Sequence, residues 1–376
     1  MFFREIIGHQ GLKKRLIQTV NENRVSHAWL FFGPEGAGAL PIALAFAGYI
    51  LCTNRSETDA CGECSSCVKV KKYIHPDLHF VLPVNKTKAV DKDGVTTDDF
   101  IADWRNFVIK NPYGRLNQWF DFIELENKQG VINTEESKRL SGKLSLKSFE
   151  SDYKVVIIWQ PEKMNDQAAN KLLKLLEEPP PMTLFLMVTE NPDQLLGTIR
   201  SRCMPVKIPR IEDASLLECL TKEHRLEPDK ARDITRLSEG NYLRALDIIA
   251  EEGNSKYNFV KFRDLMRSCF KGSIPELIKH AEELAGFTRE KQKSFLEYSL
   301  GAVRESMALH YNQEEIIFIS GEEKGFTTNF APFVNGKNVI RFTEELTRTI
   351  HDIERNGNGR IVLLDMVLKL AALIKS

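Results

Sequence analysis

Ala28-Trp29-Leu30-Phe31-Phe32 runs directly into Gly33-Pro34-Glu35-Gly36-Ala37-Gly38-Ala39-Leu40. A short apolar strand followed by a glycine-rich turn is the framework of a phosphate-binding loop, which reads G-x-x-x-x-G-K-[S/T]. The glycines let backbone amides approach phosphate, the Lys supplies positive charge, and the hydroxyl holds magnesium. Here Gly33, Gly36 and Gly38 keep the spacing, but Ala39 stands at the Lys position and Leu40 at the hydroxyl position. The shape of the loop is retained without its chemistry. A chain built like an ATPase, doing something else, is expected.

Working outward, mostly apolar runs at 28–32, 78–82, 155–159 and 184–188 predict parallel strands covered on both faces. Helical patterns lie between them. One spans 134–146, where Asn133 and Glu136 have capping-box spacing; another spans 168–176, stopped by Pro179-Pro180-Pro181. Strands alternating with helices imply a doubly wound α/β domain ending near Pro209. Beyond it no strand pattern occurs. Short helices are expected over 212–252, then helices at 275–285, 289–308, 339–355 and 361–374, the last preceded by Asn356-Gly357-Asn358-Gly359. The division is therefore 1–209 (α/β), 210–255 (small and helical) and 256–376 (all-α).

The 376 residues carry 52 Lys+Arg and 52 Asp+Glu, so no global field draws the chain to nucleic acid or membrane. Met1-Phe2-Phe3-Arg4-Glu5 is charged too soon for a signal peptide. No uninterrupted apolar window reaches the roughly eighteen residues of a membrane span. A cytoplasmic protein is expected.

Four of the seven cysteines, Cys52, Cys61, Cys64 and Cys67, form a C-x8-C-x2-C-x2-C pattern. Two-residue spacers let thiolates converge, and four sulfurs close a tetrahedral zinc shell with no open position. A structural Zn2+ site is expected, against the alternative of free buried or redox thiols. Residues 86–130 interrupt the α/β pattern with Thr97 as a cap, then Phe100, Ile101, Trp104, Phe107 and Val108 at helical spacing, and Trp119, Phe120 and Phe122 beyond Asn111-Pro112. Two readings stand for this insertion: a cover for the domain's own surface, or a contact for a partner or DNA.

Several further segments carry a resemblance. They are Ile7-Gly8-His9-Gln10, Ser26-His27-Ala28-Trp29-Leu30-Phe31 leading to Gly33-Pro34, the cysteine pattern, His75-Pro76-Asp77, the Asn170-Lys171-Leu172-Leu173-Lys174-Leu175-Leu176-Glu177-Glu178-Pro179-Pro180 run and Ile199-Arg200-Ser201-Arg202-Cys203. In this order they resemble the delta-prime subunits of the bacterial DNA polymerase III clamp loader, within the AAA+ superfamily. The resemblance implies an AAA+ α/β core with a zinc module, a small helical lid and a helical collar that joins subunits. It implies gamma/tau and delta subunits as partners, with the sliding clamp and primer-template DNA engaged through the assembled complex. Active relatives end the third apolar strand in Asp-Glu, where this chain has Trp159-Gln160. They place an Arg three residues after a glycine of the lid, whereas Arg244 follows Gly240 by four. Loss of Lys, hydroxyl, carboxylates and Arg together predicts no ATP hydrolysis and no functional ATP site. The resemblance also implies that Arg202 reaches into the ATP site of an adjoining subunit, where arginine fingers contribute about 10³–10⁵ in rate.

Two competing readings stand. An active gamma/tau-type ATPase would turn over nucleotide alone, and Ala39, Leu40, Trp159 and Gln160 oppose it. A zinc-containing DNA-binding module would bind DNA tightly and salt-sensitively, which a neutral chain does not favour.

Overall fold

The computed structural model describes residues 1–125, 128–311, 321–355 and 357–375. The chain divides into two units, Met1–Asp247 and Ile248–Ser376.

The first unit is built on a parallel sheet of β1 (Ala28–Phe32), β2 (Leu78–Val81), β3 (Lys154–Trp159), β4 (Thr183–Thr189) and β5 (Met204–Lys207), in the order β2-β3-β4-β1-β5. Alternate residues leave by opposite faces. Trp29, Phe31, Val155, Ile157, Leu184 and Leu186 join one apolar core with the helix Ala39–Leu51, while Leu30, Val156, Ile158, Phe185 and Met187 join the other with Leu140, Leu144 and Leu172. Burial on both faces is why β1, β3 and β4 read as unbroken apolar runs.

Around the sheet stand α1 (Gln10–Asn21), α2 (Ala39–Leu51), α3 (Ser65–Lys71), α4 (Ile101–Lys110), α5 (Leu116–Phe122), α6 (Thr134–Ser145), α7 (Asp166–Glu177) and the single turn α8 (Gly197–Arg200). Three more follow: α9 (Asp213–Lys222), α10 (Pro228–Ser238) and α11 (Tyr242–Lys271), which begins in this unit. Asn133 and Asn165 cap α6 and α7, their side chains accepting the N–H of Glu136 at 3.0 Å and of Ala168 at 2.8 Å. The expected reciprocal half of the Asn133 capping box is absent. Glu136 turns its carboxylate to the N–H of Thr97 at 2.7 Å and to Arg139. Nor is Thr97 the cap of the insertion's first helix. Thr96 and Asp99 cap a preceding 3-10 turn, Thr97–Phe100, and Thr97 Oγ1 accepts the N–H of Leu82 at 3.0 Å.

Four aromatic residues of the insertion form core. Phe100, Trp104, Phe107 and Trp119 are buried, and the Trp104 ring lies 5.1 Å from Trp159 at the end of β3 and 5.9 Å from Phe80 on β2. Of the two readings of this segment, the covering one describes these four side chains.

The second unit is helical throughout its described residues. It contains the rest of α11 with α12 (Ile274–Ala285), α13 (Arg289–His310), α14 (Gly321–Phe330), α15 (Val339–Glu354) and α16 (Gly359–Leu373). Asn356, part of the expected break before the last helix, lies outside the described residues. Leu363, Met366, Val367 and Leu370 of α16 share a core with Leu277, Phe295 and Leu346, while Ile361 and Leu368 of the same helix face solvent.

Candidate functional site

The glycine loop links β1 to α2 as its spacing predicts. Gly36 and Gly38 both have positive φ, at 71° and 98°, the backbone region in which only glycine is unstrained. What surrounds the loop departs from a nucleotide site. A Cβ on Gly36 would stand 1.9 Å from Asn241 Oδ1, and one on Gly38 would stand 2.9 Å from the Tyr113 ring. The chain's own residues therefore lie close against both glycines of the loop. Tyr113 is tied down on three sides. Its hydroxyl accepts the Ile7 N–H at 3.0 Å, its ring meets Tyr242 edge-on at 4.9 Å, and Gly38 lies beneath it.

Two residues later, Arg115 bridges the loop to the start of α11. Its Nε donates to Glu35 Oε1 at 2.8 Å, and Nη1 and Nη2 grip the Asp247 carboxylate at 3.1 and 2.7 Å. Those two carboxylates hold the guanidinium charged more firmly than usual. The local charge is otherwise acidic. Burial, together with Glu35 and Glu162, pushes the Glu190 carboxyl, next after β4, up to about 7. Burial likewise raises Glu162, whose Oε2 has no hydrogen-bond partner among the described residues. Carboxylates that repel one another also repel a triphosphate, and Arg115 beside them is already paired with Glu35 and Asp247.

At the end of β3, Trp159 is buried in the aromatic core and Gln160 takes a left-handed conformation, with its N–H donating to Val188 O at 2.8 Å. Neither side chain is an anion that could hold a metal. Arg244 is exposed on the first turn of α11, where Asn241 Oδ1 accepts its N–H at 3.1 Å.

The cysteines do converge. The Sγ atoms of Cys52, Cys61, Cys64 and Cys67 all lie within 4.8 Å of one another, with Cys52–Cys61 at 3.6 Å, Cys61–Cys67 at 3.8 Å and Cys52–Cys64 at 4.0 Å. Sulfurs bound about 2.3 Å from a central zinc stand about 3.8 Å apart at the corners of a tetrahedron, whereas a disulfide would bring two of them to about 2.05 Å. The N–H groups of Cys61, Cys64 and Cys67 each point at the preceding cysteine's sulfur, at 3.4 Å. Burial raises the thiols of Cys52 and Cys67, a tendency that a bound cation reverses by deprotonating its ligands. Donor type, number and spacing fit, so these four residues could hold a zinc ion. Cys203, Cys219 and Cys269 stand apart as free thiols.

Arg202 lies just beyond α8, partly exposed. Its Nη2 contacts Glu177 Oε1, the last residue of α7, at 2.7 Å and its Nη1 donates to Thr198 O at 2.9 Å. The run ending in Glu177-Glu178 and the Ser201-Arg202-Cys203 triplet thus meet in space.

Tyr113, Arg115, Glu190 and Asn241 were not expected at the loop from the sequence. The signal available for the first two was a Pro-Tyr-Gly turn inside the insertion, with nothing in it to say where that turn would land.

The family model described as "DNA polymerase III, delta subunit" matches residues 8–212. Among curated relatives, the DNA polymerase III subunit delta' of Pseudomonas aeruginosa is 31% identical over 221 residues, 58% of this chain and 55% of the relative. That of Bacillus subtilis is 28% identical over 235 residues, 62% of this chain and 57% of the relative. The subunit tau/gamma of Haemophilus influenzae is 25% identical over 218 residues, 58% of this chain and 25% of the relative. The matched segments span little more than half the length of the delta' relatives. With that match extending from the start of α1 to the start of α9, across the altered loop, the four cysteines and Arg202, this chain belongs to the DNA polymerase III delta-subunit family and is delta-prime-like.

Proposed function

We propose that the chain is the non-hydrolysing, delta-prime-type member of a DNA polymerase III clamp loader. The carrying observation is the loop itself, which lacks the Lys and hydroxyl and is covered by Tyr113 and Asn241. In this reading 1–209 form an AAA+ core with a structural zinc module at Cys52, Cys61, Cys64 and Cys67, 210–255 a small lid, and 256–376 a collar for oligomerisation. The subunit stands beside a gamma/tau-type ATPase and presents Arg202 to the γ-phosphate held there, with delta and gamma/tau as partners. The clamp and primer-template DNA are engaged by the assembly. A planar guanidinium matches phosphate oxygens bidentately and stabilises charge as it develops.

A gamma/tau-type ATPase is the alternative suggested by the tau/gamma relative, but Ala39, Leu40, Trp159 and Gln160 leave it without counter-ion or metal ligands. The test is reconstitution with gamma/tau and delta subunits, followed by sizing and measurement of clamp- and DNA-stimulated ATP turnover. Assembly with no turnover by this chain alone is expected. Turnover by the purified chain, sensitive to substitution in the loop, would refute the reading.

A further inference from the structure

β2 is the terminal strand of the sheet, and along its open side lies a groove of about 840 Å³. α6 and the turn after it form one wall; Ile101 and Arg105 of α4 contribute to the other. Large apolar side chains stand out in water there: Phe149 is 84% exposed, Leu146 67% and Ile74 45%. The backbone that presents them is firmly held. Asp77 accepts the N–H groups of Phe149, Glu150 and Ser151 at 2.6, 2.8 and 2.9 Å. The buried Lys154 donates to Leu146 O at 2.8 Å. A fixed turn holding apolar side chains in solvent has the properties of a docking surface.

The groove is also basic. Arg105, Arg139, Lys143, Lys147 and Lys154 line it against Asp77 and Asp98. Asp77 is taken up by its three amides, and Asp98 is shared by Arg139 and Lys143 at 2.7 and 2.8 Å. Lys147 has no ion-pair partner among the described residues. Burial, and after it the charges of Lys143 and Arg139, push the His79 imidazole in this groove down to about 4.

The strand edge itself is occupied. Phe80 O accepts from Arg139 at 2.8 Å, and the N–H groups of Leu78 and Leu82 go to His75 O and Thr97 Oγ1. An added β-strand would find few free groups, so recognition must come from side chains.

We propose that this groove docks an acidic protein segment, with its carboxylates against Lys143 and Lys147 and an apolar side chain against Ile74, Leu146 and Phe149. A nucleic-acid strand could use the charges and stack on Phe149, but it would leave the aliphatic Leu146 and Ile74 without a role. The full chain is titrated, by fluorescence anisotropy, with a short fluorescein-labelled peptide of aspartates bearing one leucine and one phenylalanine. An all-aspartate peptide and a labelled oligothymidylate serve as comparisons. Saturable, salt-weakened binding of the first peptide is expected, reduced about tenfold or more by Leu146→Ser with Phe149→Ser, and by Lys147→Glu. These positions are on the surface, and circular dichroism checks that the variants stay folded. Absence of binding, binding indifferent to these substitutions, or equal affinity for the all-aspartate peptide would overturn the proposal. So would tighter binding of the oligothymidylate through the same residues, which would make the groove a nucleic-acid surface.

Discussion

Arg202 and Glu177 form an ion pair, Nη2 to Oε1 at 2.7 Å, on a surface where both side chains meet water. An exposed pair of this kind contributes about 0–1 kcal/mol, so a phosphate could displace Glu177 at little cost. Arg202→Ala is expected to change the unfolding free energy by less than about 1 kcal/mol while lowering ATP turnover of the reconstituted complex. Arg202→Lys should substitute poorly, because a point charge lacks the planar fork. Undiminished turnover and clamp loading with Arg202→Ala would leave the residue only its salt bridge.

The cysteine site should carry about one equivalent of zinc per chain when the protein is purified without chelator. Cys67→Ser opens a closed shell, and because metal binding is coupled to folding its cost should far exceed the roughly 0.5 kcal/mol typical of a surface substitution. Metal analysis together with urea unfolding, with and without chelator, provides the check. A metal-free protein of unchanged stability would remove zinc from the account.

Restoring the missing loop side chains should not restore nucleotide binding. Ala39→Lys with Leu40→Ser supplies a cation and a hydroxyl, but Tyr113 still lies against Gly38 and Asn241 against Gly36. Calorimetric titration with Mg-ATP should show binding only after Tyr113→Ala and Asn241→Ala are added. Tight binding by the loop double variant alone would mean that Tyr113 and Asn241 do not obstruct the site.

Arg115→Ala leaves Glu35 and Asp247 without their shared partner. Loss of two charge-assisted contacts at a side chain only 19% exposed should cost about 1–3 kcal/mol of unfolding free energy. Arg115→Lys should recover part of this, since an ammonium cannot make the two-pronged contact to Asp247. Equal stability of all three proteins in urea would show that the bridge contributes nothing.

Glu190 predicts a pH effect of definite sign. Its folded pKa, about 7, lies above the ordinary value of 4.5, so the folded state binds the extra proton between those values. The stabilisation is full below about pH 4.5 and is lost as pH rises through 7. Glu190→Gln, neutral at every pH, should therefore raise the thermal midpoint at pH 8 and change it little at pH 5. A gain of about 1–2 kcal/mol at pH 8 is expected, less than the shift alone implies because part of the carboxyl meets solvent. An identical effect at both pH values would contradict the assignment.

Much of the fold was legible wherever one local cause dominated. β1, β3 and β4 are covered on both faces, so their composition alone marks them. The cysteine spacing foretold a convergence that the sulfur distances bear out. β5 was missed because it is a short edge strand, Met204-Pro205-Val206-Lys207, with only Val206 buried. Pro is tolerated there since an edge leaves some N–H positions unpaired, and in a sequence it reads as a breaker. Thr96 and Thr97 show the limit of a one-residue distinction: both hydroxyls suit a cap, and the preference of Thr97 for the Leu82 amide depends on tertiary packing. The cover over the glycine loop was illegible for a stronger reason. Arg115 meets Glu35 across 80 positions of chain and Asp247 across 132, and no local pattern encodes such encounters.

All four tryptophans, Trp29, Trp104, Trp119 and Trp159, belong to the first unit, and three of them form the aromatic core beside the end of β3. Intrinsic tryptophan emission from this protein is therefore a reporter with a blind side. It follows melting of the sheet and the insertion and receives no direct signal from the helices after Asp247. A fluorescence transition and a circular-dichroism transition recorded on one sample need not coincide, and their separation would measure how independently the two units unfold.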